Sequence, residues 1–236
     1  MCGIAGIFLL NKTYLEKLGF VEEMTDVLSH RGPDDKGLFF NDRVGLGHRR
    51  LSIIDLSDKG KQPMFNEDNS LALVFNGEIY NFKELRNQLI SKGHIFKSNS
   101  DSEVILHLYE EYNTECTKYL EGMFAFAIYD SHRENIFFAR DRVGEKPLYY
   151  YKDKHAFYFS SEIKSFFTLD DFEKKLSMEG LHTYFNNIQI PPPKTIFEGV
   201  KKFRPAHWFL LDAEGREIEK PYWKVDCTKK TKLSIG

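Results

Sequence analysis

Cysteine stands at position 2, in Met1-Cys2-Gly3-Ile4-Ala5-Gly6-Ile7-Phe8. Once the initiator methionine is removed, one residue carries both a thiol and a free α-amine. The thiol is the strongest nucleophile among side chains, with a few per cent thiolate at neutral pH. The amine, with a reference pKa of roughly 7.7–8.0, is a usable base at the same pH. Nucleophile and base arrive together, with no histidine required. A cysteine in second place is by default an inert residue on a frayed end. What changes that reading is its company downstream.

Four polar clusters interrupt or end apolar runs: Arg31-Gly32-Pro33-Asp34, His48-Arg49-Arg50-Leu51-Ser52-Ile53-Ile54-Asp55, Asn76-Gly77-Glu78-Ile79-Tyr80-Asn81 and Ser100-Asp101-Ser102-Glu103. Singly, each has an ordinary reading. Arg50 is a surface ion-pair residue, Asn76-Gly77 a tight turn, Asp101 an acid at a helix start, and His48 a satisfied structural histidine. Together they make chemical sense. A guanidinium grips an α-carboxylate through two parallel hydrogen bonds, and carboxylates hold an α-ammonium. An asparagine amide beside a glycine N–H can receive a developing oxyanion. The inventory fits hydrolysis of a side-chain amide on an amino acid.

The elements that must position these residues read as alternating strands and short helices. Strands are expected at Gly3–Leu10, Gly37–Phe40, Val44–His48 and Leu71–Phe75, the last ended by Asn76-Gly77. Further β runs cover Phe124–Tyr129, Asn135–Ala139, Leu148–Tyr151, Ala156–Ser160, Ala206–Leu211 and Arg216–Ile218. Helical spacing covers Leu15–Ser29, Asn81–Lys92, Val104–Tyr112, Glu162–Phe167 and Met178–Phe185, with Ser100-x-x-Glu103 shaped as a capping box. A strict βαβ rhythm is absent, which favours antiparallel sheets with helices packed on them.

At 236 residues with a net charge of −2, the chain offers no basic face for nucleic acid. No run approaches the roughly 18 apolar residues of a membrane span. Neither a lipidation motif nor a secretion signal accompanies Cys2, so a cytoplasmic, reducing location is expected. Cys2, Cys116 and Cys227 are an odd set without close spacing, which argues against a disulfide framework or a zinc site built on cysteine. No metal ligand is expected in the site.

In Cys2-Gly3-Ile4-Ala5-Gly6, Arg31-Gly32-Pro33-Asp34, His48-Arg49-Arg50-Leu51-Ser52-Ile53, Phe75-Asn76-Gly77-Glu78-Ile79-Tyr80-Asn81 and Ser100-Asp101-Ser102-Glu103 the chain resembles the class II glutamine amidotransferases. Met123-Phe124-Ala125-Phe126-Ala127, Arg140-Asp141-Arg142-Val143-Gly144 and Ser161-Glu162-Ile163-Lys164 continue the likeness, which within that class is to the glutaminase domain of glutamine-hydrolysing asparagine synthetases. The resemblance implies an α+β fold, a four-layer αββα sandwich of two antiparallel sheets of the N-terminal-nucleophile hydrolase type. It implies Cys2 as nucleophile, Asn76 and Gly77 as oxyanion hole, Arg50 on the glutamine α-carboxylate, and Glu78 and Asp101 on its α-ammonium. Backbone groups near Ile53 are implied as further glutamine contacts. Arg31 belongs to the surrounding loop, without a catalytic role.

The resemblance further implies a glutaminase domain over residues 2–212 and, over 213–236, a linker toward an ATP-pyrophosphatase synthetase domain. That domain's SGGxDS-type loop is not found in these residues. L-glutamine is the implied substrate, with no cofactor for the glutaminase half and ATP and Mg²⁺ for the synthetase half. A homodimer is left open. Related domains that amidate sugar carboxylates, and a non-catalytic docking or regulatory module of the same fold, remain as alternatives.

Overall fold

A computed structural model of the chain describes residues 1–228. Two six-stranded sheets, antiparallel throughout, lie face to face. With strands numbered along the chain, the first sheet contains β1 (Gly3–Leu9), β2 (Asp35–Phe40), β3 (Val44–Arg50), β8 (Tyr149–Lys152), β9 (Ala156–Ser160) and β10 (Lys201–Lys202), in the order β10-β8-β9-β1-β3-β2. The second contains β4 (Met64–Phe65), β5 (Leu71–Ile79), β6 (Gly122–Asp130), β7 (Asn135–Arg140), β11 (His207–Leu211) and β12 (Glu217–Pro221), in the order β12-β11-β7-β6-β5-β4.

Strand alternation sorts the core into three apolar layers. In β1, Ile4 and Phe8 face the second sheet while Ala5, Ile7 and Leu9 face outward onto helix α1 (Phe20–Asp26). In β5, Ala72 and Val74 face the first sheet, and Leu71, Leu73 and Phe75 face helices α2 (Phe82–Ser91) and α3 (Glu103–Tyr112). Between the sheets, Phe138 meets Phe157, Phe159, Phe203 and Phe209 at ring-centroid distances of 4.9–6.0 Å. Each such buried ring contributes about 1.5–3 kcal/mol relative to exposure. The result is the expected αββα sandwich, with helix α4 (Met178–Asn187) lying outside these layers and burying only Gly180.

Several local expectations differ from the structure. Leu15–Ser29 is not one helix: Lys12–Gly19 winds as 3₁₀ turns and α1 spans only Phe20–Asp26. Gly19 sits at the junction, where it weakens a continuous helix, and Lys17 is drawn to Asp171 at 3.2 Å. The apolar spacing still marks the right face, since Leu18, Val21, Met24 and Leu28 are all buried. Ser100 and Glu103 form no capping box, because α3 begins at Glu103 itself and its carboxylate accepts from the N–H groups of Lys97 and Ser98 at 2.6 and 2.8 Å.

Asn76-Gly77 does not end β5, which runs on to Ile79 with Gly77 opposite Phe124. A Cβ at Gly77 would stand 2.3 Å from the Met123 carbonyl oxygen, so close strand packing rather than a turn is what requires glycine there. The boundary expected at residue 212 falls inside the β11–β12 hairpin; β12 pairs along β11, and the Tyr222 hydroxyl donates to the Arg140 carbonyl at 2.8 Å. Residues 229–236 of the expected linker lie outside the described residues. Among the described residues no helix is long and apolar enough to cross a membrane.

Candidate active site

One register rule gathers most of the site. The residues of β1, β3 and β5 that face the gap between the sheets carry even numbers: Ile4 and Phe8, Val44 and Leu46, Ala72 and Val74. Continued to one end of the sandwich, the same series become Cys2, then His48 and Arg50, then Asn76 and Glu78. The apolar layer ends there and a polar cleft begins. Its walls include Cys2, Arg50, Ile53, Asn76, Gly77, Glu78 and Asp101, so all seven residues singled out in the sequence meet in one place.

The Cys2 thiol lies against the turn after β3. The Leu51 N–H points to Sγ at 3.4 Å, and Sγ is 3.7 Å from the Leu51 carbonyl oxygen. Burial pushes the thiol pKa up, against the opposing effects of the Leu51 N–H, the Met1 ammonium and Arg50. A base must therefore take its proton as it attacks. Arg31 holds the strand start in place, its Nε donating to the Cys2 carbonyl at 2.9 Å and its Nη1 to Glu162 at 3.0 Å. Met1 precedes the thiol at the cleft mouth, 55% exposed.

Two groups are suited to receive an oxyanion. Asn76 is 1% exposed, and its Nδ2 has no hydrogen-bond partner. Such an orphaned donor is rare in a folded protein. The second is the Gly77 N–H. On the edge of β5 away from β6, the Phe75 N–H is taken by Gln62 Oε1 at 2.6 Å and the Ile79 N–H by Asp101 Oδ2 at 2.8 Å. Alternation turns the Gly77 N–H to that same edge, between these two side chains.

At the far wall, Arg50 is 8% exposed and donates through Nη1 to the Ser57 carbonyl at 3.0 Å and through Nη2 to the Asp55 carbonyl. It therefore pins the loop over the cleft and keeps the rest of its five N–H donors. Ile53, 73% exposed, lines the rim of that loop. Asp101 is 5% exposed, and burial followed by the neighbouring Glu78 charge raises its carboxyl pKa. A cation placed between the two acids would relieve that strain. His48 is buried, with Nε2 3.2 Å from the Phe75 carbonyl oxygen and a pKa pushed down to about 4 by burial. It is neutral at pH 7 and ties β3 to β5, the structural role anticipated for it.

The sequence did not single out Gln62, the Leu51 backbone, Met123 or Lys146 as parts of the cleft. Gln62 contacts β5 across a loop and has no motif of its own; only its place just before β4 could have pointed to it. Cys116 is buried and Cys227 exposed, both as free thiols away from the cleft.

A four-layer αββα sandwich of two antiparallel sheets, with Cys2 at one end of the gap between them, has the architecture of the N-terminal-nucleophile hydrolase fold. The chain belongs to the glutamine amidotransferase domain family, whose model matches residues 1–223. It is 39% identical over 234 residues to asparagine synthetase [glutamine-hydrolyzing] 3 of Bacillus subtilis, covering 98% of this chain and 38% of that protein. It is 37% identical to the putative asparagine synthetase [glutamine-hydrolyzing] 2 of Methanocaldococcus jannaschii, covering 94% of this chain and 46% of that protein. The chain thus spans less than half the length of these relatives. Among solved structures, the glutamine phosphoribosylpyrophosphate amidotransferase of B. subtilis matches with a TM-score of 0.69 over 94% of this chain and 49% of its own, at 20% identity, which establishes the shared fold.

Proposed function

We propose that the cleft hydrolyses L-glutamine to L-glutamate and ammonia through a thioester on Cys2. With Met1 removed, the α-amine of Cys2 takes the thiol proton while Sγ bonds to the side-chain amide carbon. The carbonyl oxygen becomes an oxyanion between Asn76 Nδ2 and the Gly77 N–H. The C–N bond then breaks, and the ammonium formed at Cys2 returns its proton to the departing nitrogen, which leaves as ammonia. Water, deprotonated by the same amine, adds to the thioester carbon; the C–S bond breaks to release glutamate, and the amine returns the proton to the Cys2 thiolate. Arg50 holds the substrate carboxylate, Glu78 and Asp101 its ammonium, and the loop through Ile53 closes the rim.

The observation that carries this reading is the orphaned Asn76 Nδ2 in the same cleft as the Cys2 thiol. The names of the relatives suggest the fate of the ammonia: transfer to aspartate in a synthetase domain beyond this one, where ATP and Mg²⁺ would act. The glutaminase half needs neither. The test is glutamate release by untagged protein, with intact mass confirming loss of Met1. Cys2→Ala is expected to abolish the release. Release that survives Cys2→Ala would sink the thioester.

A further inference from the structure

Behind the Asp101 wall, away from the cleft, four side chains from three segments converge. Glu67 precedes β5, His94 follows α2, and His107 and Glu110 lie one turn apart on α3; one ligand atom from each lies within 4.8 Å of every other. Glu110 Oε2 is 2.8 Å from His107 Nδ1 and 3.4 Å from His94 Nδ1, and Glu67 Oε2 is 3.7 Å from His107 Nδ1. A tetrahedral ion with nitrogen and oxygen ligands at about 2.0–2.1 Å spaces those ligands about 3.3 Å apart. Those three separations straddle that value, and the group as a whole would close in from a span of up to 4.8 Å.

The outer contacts have the same sense. Histidines bound to a metal through one ring nitrogen usually give the other to a carboxylate. His94 turns Nδ1 to the centre and Nε2 to Glu111 Oε1 at 3.1 Å. His107, 1% exposed, turns Nδ1 to the centre and Nε2 toward Glu103 Oε1 at 3.8 Å, too far for a hydrogen bond, so that nitrogen is left without a partner. Asn66 Nδ2 donates to Glu110 Oε1 at 2.8 Å, leaving Oε2 for the centre. We propose that Glu67, His94, His107 and Glu110 form a binding site for a zinc-class divalent cation. Two imidazoles with two carboxylates suit such an ion. A count of cysteines could not reveal it.

The site has a structural consequence. Glu103, behind His107, also accepts from the Lys97 and Ser98 N–H groups. An ion would brace the segment from His94 to Glu103 that delivers Asp101 to the cleft.

The test is calorimetric titration of metal-stripped protein with Zn²⁺. The Cys2→Ala background removes the competing thiol of the cleft. One equivalent is expected to bind. His94→Gln is expected to weaken binding more than about 100-fold, and Glu103→Gln about 10–100-fold through His107. His94 lies on a loop rather than in the core, so its variant carries the test, with circular dichroism confirming the fold. Absence of binding by the parent, or equal binding by parent and His94→Gln, would overturn the site.

Discussion

Asn76→Ala isolates the chemical step. Asn76 Nδ2 has no partner in the free protein, so truncation breaks no hydrogen bond there. A buried unpaired polar group costs about 1–3 kcal/mol, and its removal offsets the loss of packing. Net stability should move by less than about 1 kcal/mol, or roughly 2–4 °C in Tm for a chain of this size. The donor is engaged only when the carbonyl oxygen acquires charge, so its loss belongs in kcat and not in KM. Loss of one oxyanion donor costs about 10²–10³ in kcat, or about 2.7–4 kcal/mol. The assay is glutamate release from L-glutamine over a range of concentrations, with protein whose Met1 is shown by mass to be removed. A fall in kcat below tenfold, or a change confined to KM, would refute the placement of the oxyanion at Asn76.

Two other perturbations separate binding from architecture. Arg50→Lys replaces a planar fork by a point charge, and the lost charge-assisted contacts, worth about 1.5–3 kcal/mol, should raise KM roughly 10–150-fold with a smaller effect on kcat. The same variant releases the Asp55 and Ser57 carbonyls, so limited proteolysis should cut sooner between residues 51 and 60; unchanged KM and unchanged proteolysis together would remove Arg50 from both roles. His48, held at a pKa of about 4 in the fold and near 6.5 when unfolded, binds its proton first in the unfolded chain. Its contribution is whole above pH 6.5 and is lost as pH falls toward 4, by on the order of 3 kcal/mol. Urea unfolding at pH 7 and pH 4.5 should show a smaller acid loss for His48→Gln than for the parent, and parallel losses would contradict the buried neutral imidazole.

The inner strands of this fold were legible as short continuous apolar runs: β1 and β7 are buried on both faces, so neither shows a polar alternation. Helix α2 was legible by spacing, because it buries one face through Leu85 and Leu89. Where the pattern was blind, non-local packing decides. Asn76-Gly77 has the composition of a turn, yet β6 pairs along it and the strand continues. The stretch before Phe20 winds as 3₁₀ turns and α1 spans only Phe20–Asp26, a change of helix type that apolar spacing does not register. The seven site residues were recognisable as motifs, but their meeting depends on three strands from different parts of the chain sharing one register. The contacts that tune them, such as Gln62 on the Phe75 N–H, come from side chains whose types are common everywhere.

The shortness of β4 explains how an ordinary sheet yields a site. β4 pairs only Met64 with Leu73 and Phe65 with Ala72. A longer neighbour would have drawn the N–H groups of Phe75, Gly77 and Ile79 into ladder hydrogen bonds and left no donor for a substrate. Stopping the strand leaves three backbone donors on an exposed edge, a liability that proteins usually cover. Here the two outer donors are covered by side chains, Gln62 and Asp101, each fixed from a separate segment. The middle donor is left beside Asn76 and within the cleft that holds Cys2. Asp101 thereby does two things with one carboxylate, closing the edge through Oδ2 and presenting negative charge beside Glu78. The geometry of the oxyanion donors and the charge that would orient the substrate are thus coupled through β5, and a change at Asp101 must disturb both.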